Sequence, residues 1–156
     1  MDGSVKIIVN GGPTGLEDFA RAKRATQDEL PDLSHAQREV VRKFRISEEE
    51  YKHAVLAQQY GSQRMMERAE KFVSKLSQTL KKNHIKGQIV KLERCPGELI
   101  WLADIAMKAG AGSVRISMEL FDDVVDDTNN DPAYTKYLDA KLNSVVQRSL
   151  DLGDVA

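Results

Sequence analysis

Two spacings of hydrophobic residues alternate along this chain, and each change of spacing marks an element. Val5, Ile7 and Val9 fall on one side of a short extended run, which predicts a strand over residues 5–9. Asn10-Gly11-Gly12-Pro13 closes it. Thr14 stands three positions ahead of Glu17, the spacing of a capping box, and predicts a helix over 15–29 with Leu16, Phe19 and Ala20 turned inward and Pro31 as its stop. Ser34 and Gln37 repeat the box before a helix at 35–44, where Ala36, Val40, Val41 and Phe44 share a side.

Ser47 and Glu50 form the third box and open the longest regular stretch. Residues 47–82 contain no proline and a single glycine. Tyr51, Val55, Met65, Ala69, Phe72 and Leu76 fall at four-three spacing, with Gln58, Ser62 and Thr79 at the intervening steps, so they form one face of a helix. Thirty-six residues would span about 54 Å, against a diameter near 40 Å for a compact chain of this size. Gly61 is the one residue in the run that disfavours a helix interior, and a kink or an end is expected there.

Beyond a turn at 83–87, residues 88–94 read as a strand and Cys95-Pro96-Gly97 closes it. Residues 99–109 are strongly apolar and carry Trp101. With Pro96 suited to a first helical turn and Gly110-Ala111-Gly112 as a stop, they predict a helix. In 113–120, Val114, Ile116, Met118 and Leu120 alternate with polar residues as in a strand. Strand, helix and strand in succession predict a parallel βαβ unit with a right-handed crossover. Residues 121–130 are acidic and polar. Asp131 as N-cap and Pro132 at the first position start a last helix, whose face is Tyr134, Leu138, Leu142, Val145 and Val146 and which frays from Leu150. The pattern shows no internal repeat and no low-complexity linker.

The expected fold is therefore helix-rich α/β (or α+β): one domain over 1–156 with a sheet of about three strands, and a helical insertion at 34–82 between strand 5–9 and strand 88–94. Composition agrees with a folded domain, since 156 residues that are 41% hydrophobic and 30% charged can bury a core. Net charge is −1, which argues against a general polyanion binder, but it is polarised: residues 1–83 sum to +3 and residues 84–156 to −4. The segment Met1-Asp2-Gly3-Ser4 lacks the basic and apolar regions of a signal peptide. No apolar run reaches the roughly 20 residues of a membrane span. With one cysteine there is no internal disulfide, and a cytoplasmic location, no membrane partner and no cofactor are expected.

Four groups of residues are candidates for chemistry. Cys95, at the predicted strand–helix junction and beside Arg94, would have its thiolate favoured by a helix N-terminus, as a small thiol-dependent enzyme requires. Gly11, Gly12 and Thr14 lie between a strand and a helix, where backbone amides hold anions, although they match no phosphate-loop motif. Asp122, Asp123, Asp126 and Asp127 supply the oxygens a hard cation prefers. As a calcium loop they fail, because Pro132 stands at the glycine position and Leu138 at the bidentate glutamate position. Arg64, Arg68, Lys71, Lys75 and Lys82 make a basic stripe beside the apolar face of the long helix. With Arg38, Arg42, Lys43 and Arg45 it offers an electrostatic surface for a protein partner or for nucleic acid.

Residues 41–51, Val-Arg-Lys-Phe-Arg-Ile-Ser-Glu-Glu-Glu-Tyr, resemble the central turn of a helix-turn-helix, which implies two helices meeting at Arg45-Ile46. They depart from that family at Arg45, where it has glycine. They depart again at Glu48, Glu49 and Glu50, where a recognition helix would meet phosphates. The segment is thus a helical corner rather than a reader of DNA. The leading functional expectation is a non-enzymatic interaction or assembly module acting through 34–82, on a protein partner or on itself as a homo-oligomer. The thiol enzyme and the nucleic-acid binder stand behind it.

Overall fold

The computed structural model describes residues 4–108 and 110–155. Residues 1–3, on which part of the leader-segment reading rests, lie outside the described residues, as does Ala109 at the end of the expected 99–109 helix. The elements are β1 (Lys6–Ile8), α1 (Leu16–Lys23), a 3₁₀ turn (Gln27–Glu29), α2 (His35–Phe44), α3 (Glu48–Lys82), β2 (Gly87–Cys95), β3 (Ile100–Met107), β4 (Gly110–Ser117), α4 (Met118–Asp126) and α5 (Pro132–Val155). The protein is helix-rich with a small mixed sheet, and the long helix lies between β1 and β2 as expected. The chain divides into two compact units, Gly11–Met65 and the described parts of Met1–Asn10 with Met66–Ala156. α3 contributes its first half to one and its second half to the other.

In the sheet-bearing unit the strands lie in the order β1-β2-β3-β4. Among the described residues there are four strands, not about three, because residues 100–107 are extended rather than helical. β3 pairs antiparallel with both β2 and β4. The expected helical crossover between residues 88–94 and 113–120 is therefore a strand of a meander. The parallel pair is β1 with β2, Ile7 opposite Leu92, joined through the helices between them. Pro96 is in a hairpin turn: Glu98 N donates to Cys95 O (3.2 Å) and Leu99 N to Pro96 O (3.3 Å), with Leu99 at φ 58°.

In β3, Trp101, Ala103 and Ile105 are buried on one face, while Ile100 and Leu102 on the other are half-buried. In β2 the register shifts between Ile89 and Lys91. Val90 bulges, so Ile89 and Leu92, three apart, both reach the core. Phe121 of α4 ties the layers together by stacking on Trp101 of the sheet (4.2 Å between centroids) and on Phe72 of α3 (4.8 Å). The other sheet face carries charges, Lys91 lying 3.5 Å from Glu93 and 3.7 Å from Asp104.

β4 starts at Gly110 and ends at Ser117, three residues short of expectation. Ser117 Oγ accepts from Leu120 N (3.1 Å) and caps α4, which turns Met118 and Leu120 into helix residues. Asp131 caps α5 as the sequence indicates, accepting from Ala133 N (3.1 Å) and Tyr134 N (3.4 Å). α5 extends past Leu150, where the sequence leads one to expect a frayed tail. It continues to Val155, and Leu150 is buried against Gly112 of β4.

In the unit Gly11–Met65 the helix starts are partly as expected. Ser34 and Gln37 form a complete capping box, Gln37 N donating to Ser34 Oγ (3.2 Å) and Ser34 N to Gln37 Oε1 (2.8 Å). Glu50 N reaches Ser47 Oγ at 3.4 Å. The first box is displaced by one residue: Gly15 is the N-cap, and its N–H donates to Asp18 Oδ2 (2.8 Å). α1 ends at Lys23 instead of 29, and its orientation reverses the expectation. Asp18 and Ala22 are buried, while Leu16, Phe19 and Ala20 face outward. The core here is small, made by Ala22, Leu56 and Ala57 with Ala25, Leu30 and Tyr60 against them.

Candidate interaction surface

α3 does not end at Gly61; it is one helix of 35 residues. Gly61 is buried because the 11–14 loop lies across it within the same unit. Ser62 Oγ donates to Gly11 O, and Arg64 Nη2 donates to Pro13 O (3.1 Å). That docking uses the glycine loop structurally. Gly11 and Gly12 take left-handed φ of 88° and 68° to fit the helix. At the N-terminus of α1 the anion in reach is the chain's own Asp18, which accepts from Gly15 N and pairs with Arg64 at 3.0 Å.

Apolar residues that the small core of this unit does not take in lie on its outside. Leu16 is 89% exposed, Phe44 64% and Phe19 45%, and Val40 and Ile46 are exposed as well. α2 has the apolar spacing of a core helix, yet none of its ten residues is buried. Its last turn bends into α3 through Arg45, which adopts the left-handed conformation (φ 54°, ψ 43°) that glycine occupies in the helix-turn-helix corner this segment resembles. Basic Arg42, Lys43 and Arg45 therefore sit on one side of the corner, and Glu48, Glu49 and Glu50 open the next helix on the other. Within the unit Arg42 pairs with Glu39 (3.1 Å) and Lys52 with Glu48 (3.8 Å). Among the described residues Lys43, Arg45, Glu49 and Glu50 have no ion pair. A groove of about 560 Å³ runs beside this corner, with Phe19, Ala25 and Ala54 as its apolar lining and Lys23, Glu49, Glu50 and His53 at its polar margin.

The other candidates lie in the sheet-bearing unit, except Arg64, and are largely satisfied by the chain itself. Arg68 donates to Asp126 (2.6 Å) and to Asp122 (2.9 Å), Lys75 donates to the α4 carbonyl of Val124 (2.6 Å), and Lys82 lies 3.7 Å from Asp139. Lys75 thus neutralises the C-terminal end of α4. With Arg64 held by Asp18, the basic stripe is not a free edge; of its five residues Lys71 and Lys75 make no ion pair among the described residues, and Lys75 is held by backbone carbonyls. The hydrogen bond from Arg68 holds the Asp126 carboxyl below the usual range, and the same bond raises the Arg68 pKa. Asp127 is buried and accepts from Thr135 Oγ1 (2.7 Å). Asp123 is half-buried. Among the described residues no group of three or more His, Cys, Asp or Glu side chains is placed to hold a metal ion.

Cys95 ends β2 at the hairpin, so the helix expected to begin just after it does not form. Desolvation pushes its thiol pKa up, and the carboxylates of Glu93 and Glu98 push it in the same direction. That is the opposite of what a nucleophilic thiolate requires.

Phe19, Glu49, His53 and Ala54 were not singled out as site residues by the sequence. A signal was present in the mismatch between the apolar residues of α1 and α2 and the few large apolar positions on the first half of α3 that could cover them. No protein-family model, curated protein or solved structure matches this chain. Among the described residues no helix is long and apolar enough to cross a membrane.

Proposed function

We propose that this chain is a non-enzymatic assembly module that binds protein through its helical insertion, residues 34–82, with α2 as the docking element. The observation that carries the reading is that α2, patterned like a core helix, has no buried residue. Full burial of a large apolar side chain contributes about 1.5–3 kcal/mol, and Phe44 at 64% exposure forgoes most of it while Val40 and Ile46 forgo a smaller part. An exposed apolar cluster rimmed by charges is the usual composition of a protein-binding patch. The same pattern disfavours nucleic acid, because three glutamates open α3 at the corner and most of the basic stripe is already paired.

The test is site-specific photocrosslinking. A photoreactive residue at Val40, in the cells that make the chain, is expected to give a discrete adduct that Phe44→Glu abolishes. The same residue at exposed Lys136 of α5 is expected to give none. Absence of a Phe44-dependent adduct at Val40 overturns the proposal.

A further inference from the structure

We infer that the partner is a second copy of this chain, the two copies joined by reciprocal insertion of Phe44 into the groove between α1 and α3. The inference rests on the assembly reading above and names its partner. The groove offers about 560 Å³ and an apolar lining of Phe19, Ala25 and Ala54, which suits an aromatic side chain. Phe44 is the large aromatic knob that α2 presents, 64% exposed at the end of the helix.

Charge selects between occupants. Glu49 and Glu50 outnumber Lys23 at the groove margin, so the carboxylates set its sign as negative. The knob is bracketed by Lys43 and Arg45, which are positive. All four of these corner charges lack an ion pair within the chain among the described residues. A foreign segment would need an aromatic residue flanked by cations; this chain already carries one.

Closure follows from position. Phe44 and Glu49 are five residues apart on one helical corner, so knob and groove belong to a single self-complementary patch. When each copy supplies both halves, the contact is isologous and closes as a two-fold dimer instead of growing into a filament.

The experiment is sedimentation of the purified full-length chain over a concentration series at low and high salt. A monomer–dimer equilibrium that weakens with salt is expected. Phe44→Glu should raise the dimer dissociation constant by roughly thirtyfold or more, the loss typical of a central aromatic anchor, and leave the thermal melt of the monomer unchanged. Two charge-reversed forms, Lys43→Glu with Arg45→Glu and Glu49→Lys with Glu50→Lys, should each be monomeric alone and should form a heterodimer when mixed, because every knob then meets a groove of opposite sign.

A monomer at all concentrations, a dimer that survives Phe44→Glu, or folded charge-reversed forms that do not recombine would overturn the inference. If the wild type is monomeric while Val40 still crosslinks to a different protein, the second-copy inference falls and the assembly reading stands. If there is neither dimer nor adduct, both fall.

Discussion

Gly61 and Pro13 are in backbone contact: a methyl group at Gly61 would stand 2.7 Å from the Pro13 carbonyl oxygen, inside any allowed separation. The single glycine of the long helix is therefore a notch for a crossing loop. The helix runs through it unbroken, and Ser62 and Arg64 hold the loop there by their bonds to Gly11 O and Pro13 O.

Gly61→Ala separates the two roles a glycine can play. If Gly61 were only a weak point, alanine would gain about 1 kcal/mol of helix propensity. Crowding a backbone oxygen is expected to cost about 1–3 kcal/mol instead. The expected outcome of urea unfolding is a variant destabilised by about 1 kcal/mol; a more stable variant would show that the loop can retreat.

Arg68 and Asp126 couple stability to acid. The folded-state pKa of Asp126 is depressed, so the pair contributes fully above the unfolded value of about 3.9 and its contribution is lost as pH falls through the lower folded value. Asp126 is 62% exposed, and screening limits the pair; Asp126→Asn should cost about 0.2–1 kcal/mol at neutral pH. Unfolding midpoints of wild type and variant, measured down an acid series, should converge. A gap that persists once the carboxyl is protonated would place the effect elsewhere.

Cys95 should behave as a poor nucleophile. Desolvation, Glu93 and Glu98 all favour its protonated form, so alkylation by iodoacetamide should be slow at neutral pH. Its rate should rise with an inflection above the ordinary thiol value of about 8.5. Replacing Glu98 by Gln should move the inflection down. An inflection below the ordinary value would restore the thiol-enzyme reading.

Local interactions made parts of this architecture legible. Ser34 with Gln37 and Asp131 with Pro132 announce their helices because a cap is closed by atoms within three residues of each other. Residues 100–107 were not legible in this way. Leu, Ala and Met there favour a helix, and it is the ladders to β2 and β4, contributed by distant segments, that hold them extended. The faces of α1 were misread for a related reason, since its apolar residues locate a stripe without saying which neighbour meets it.

The candidate surface divides along the same line. The amphipathic spacing of α2 and the opposed charges at Arg45 and Glu48 are properties of the sequence alone, because periodicity and sign are carried by the residues themselves. Burial is a relation between elements. Only the tertiary structure could decide that the cations of the long helix are mostly spent on Asp18, Asp122, Asp126, Asp139 and the end of α4, and that Phe44 has been left in solvent.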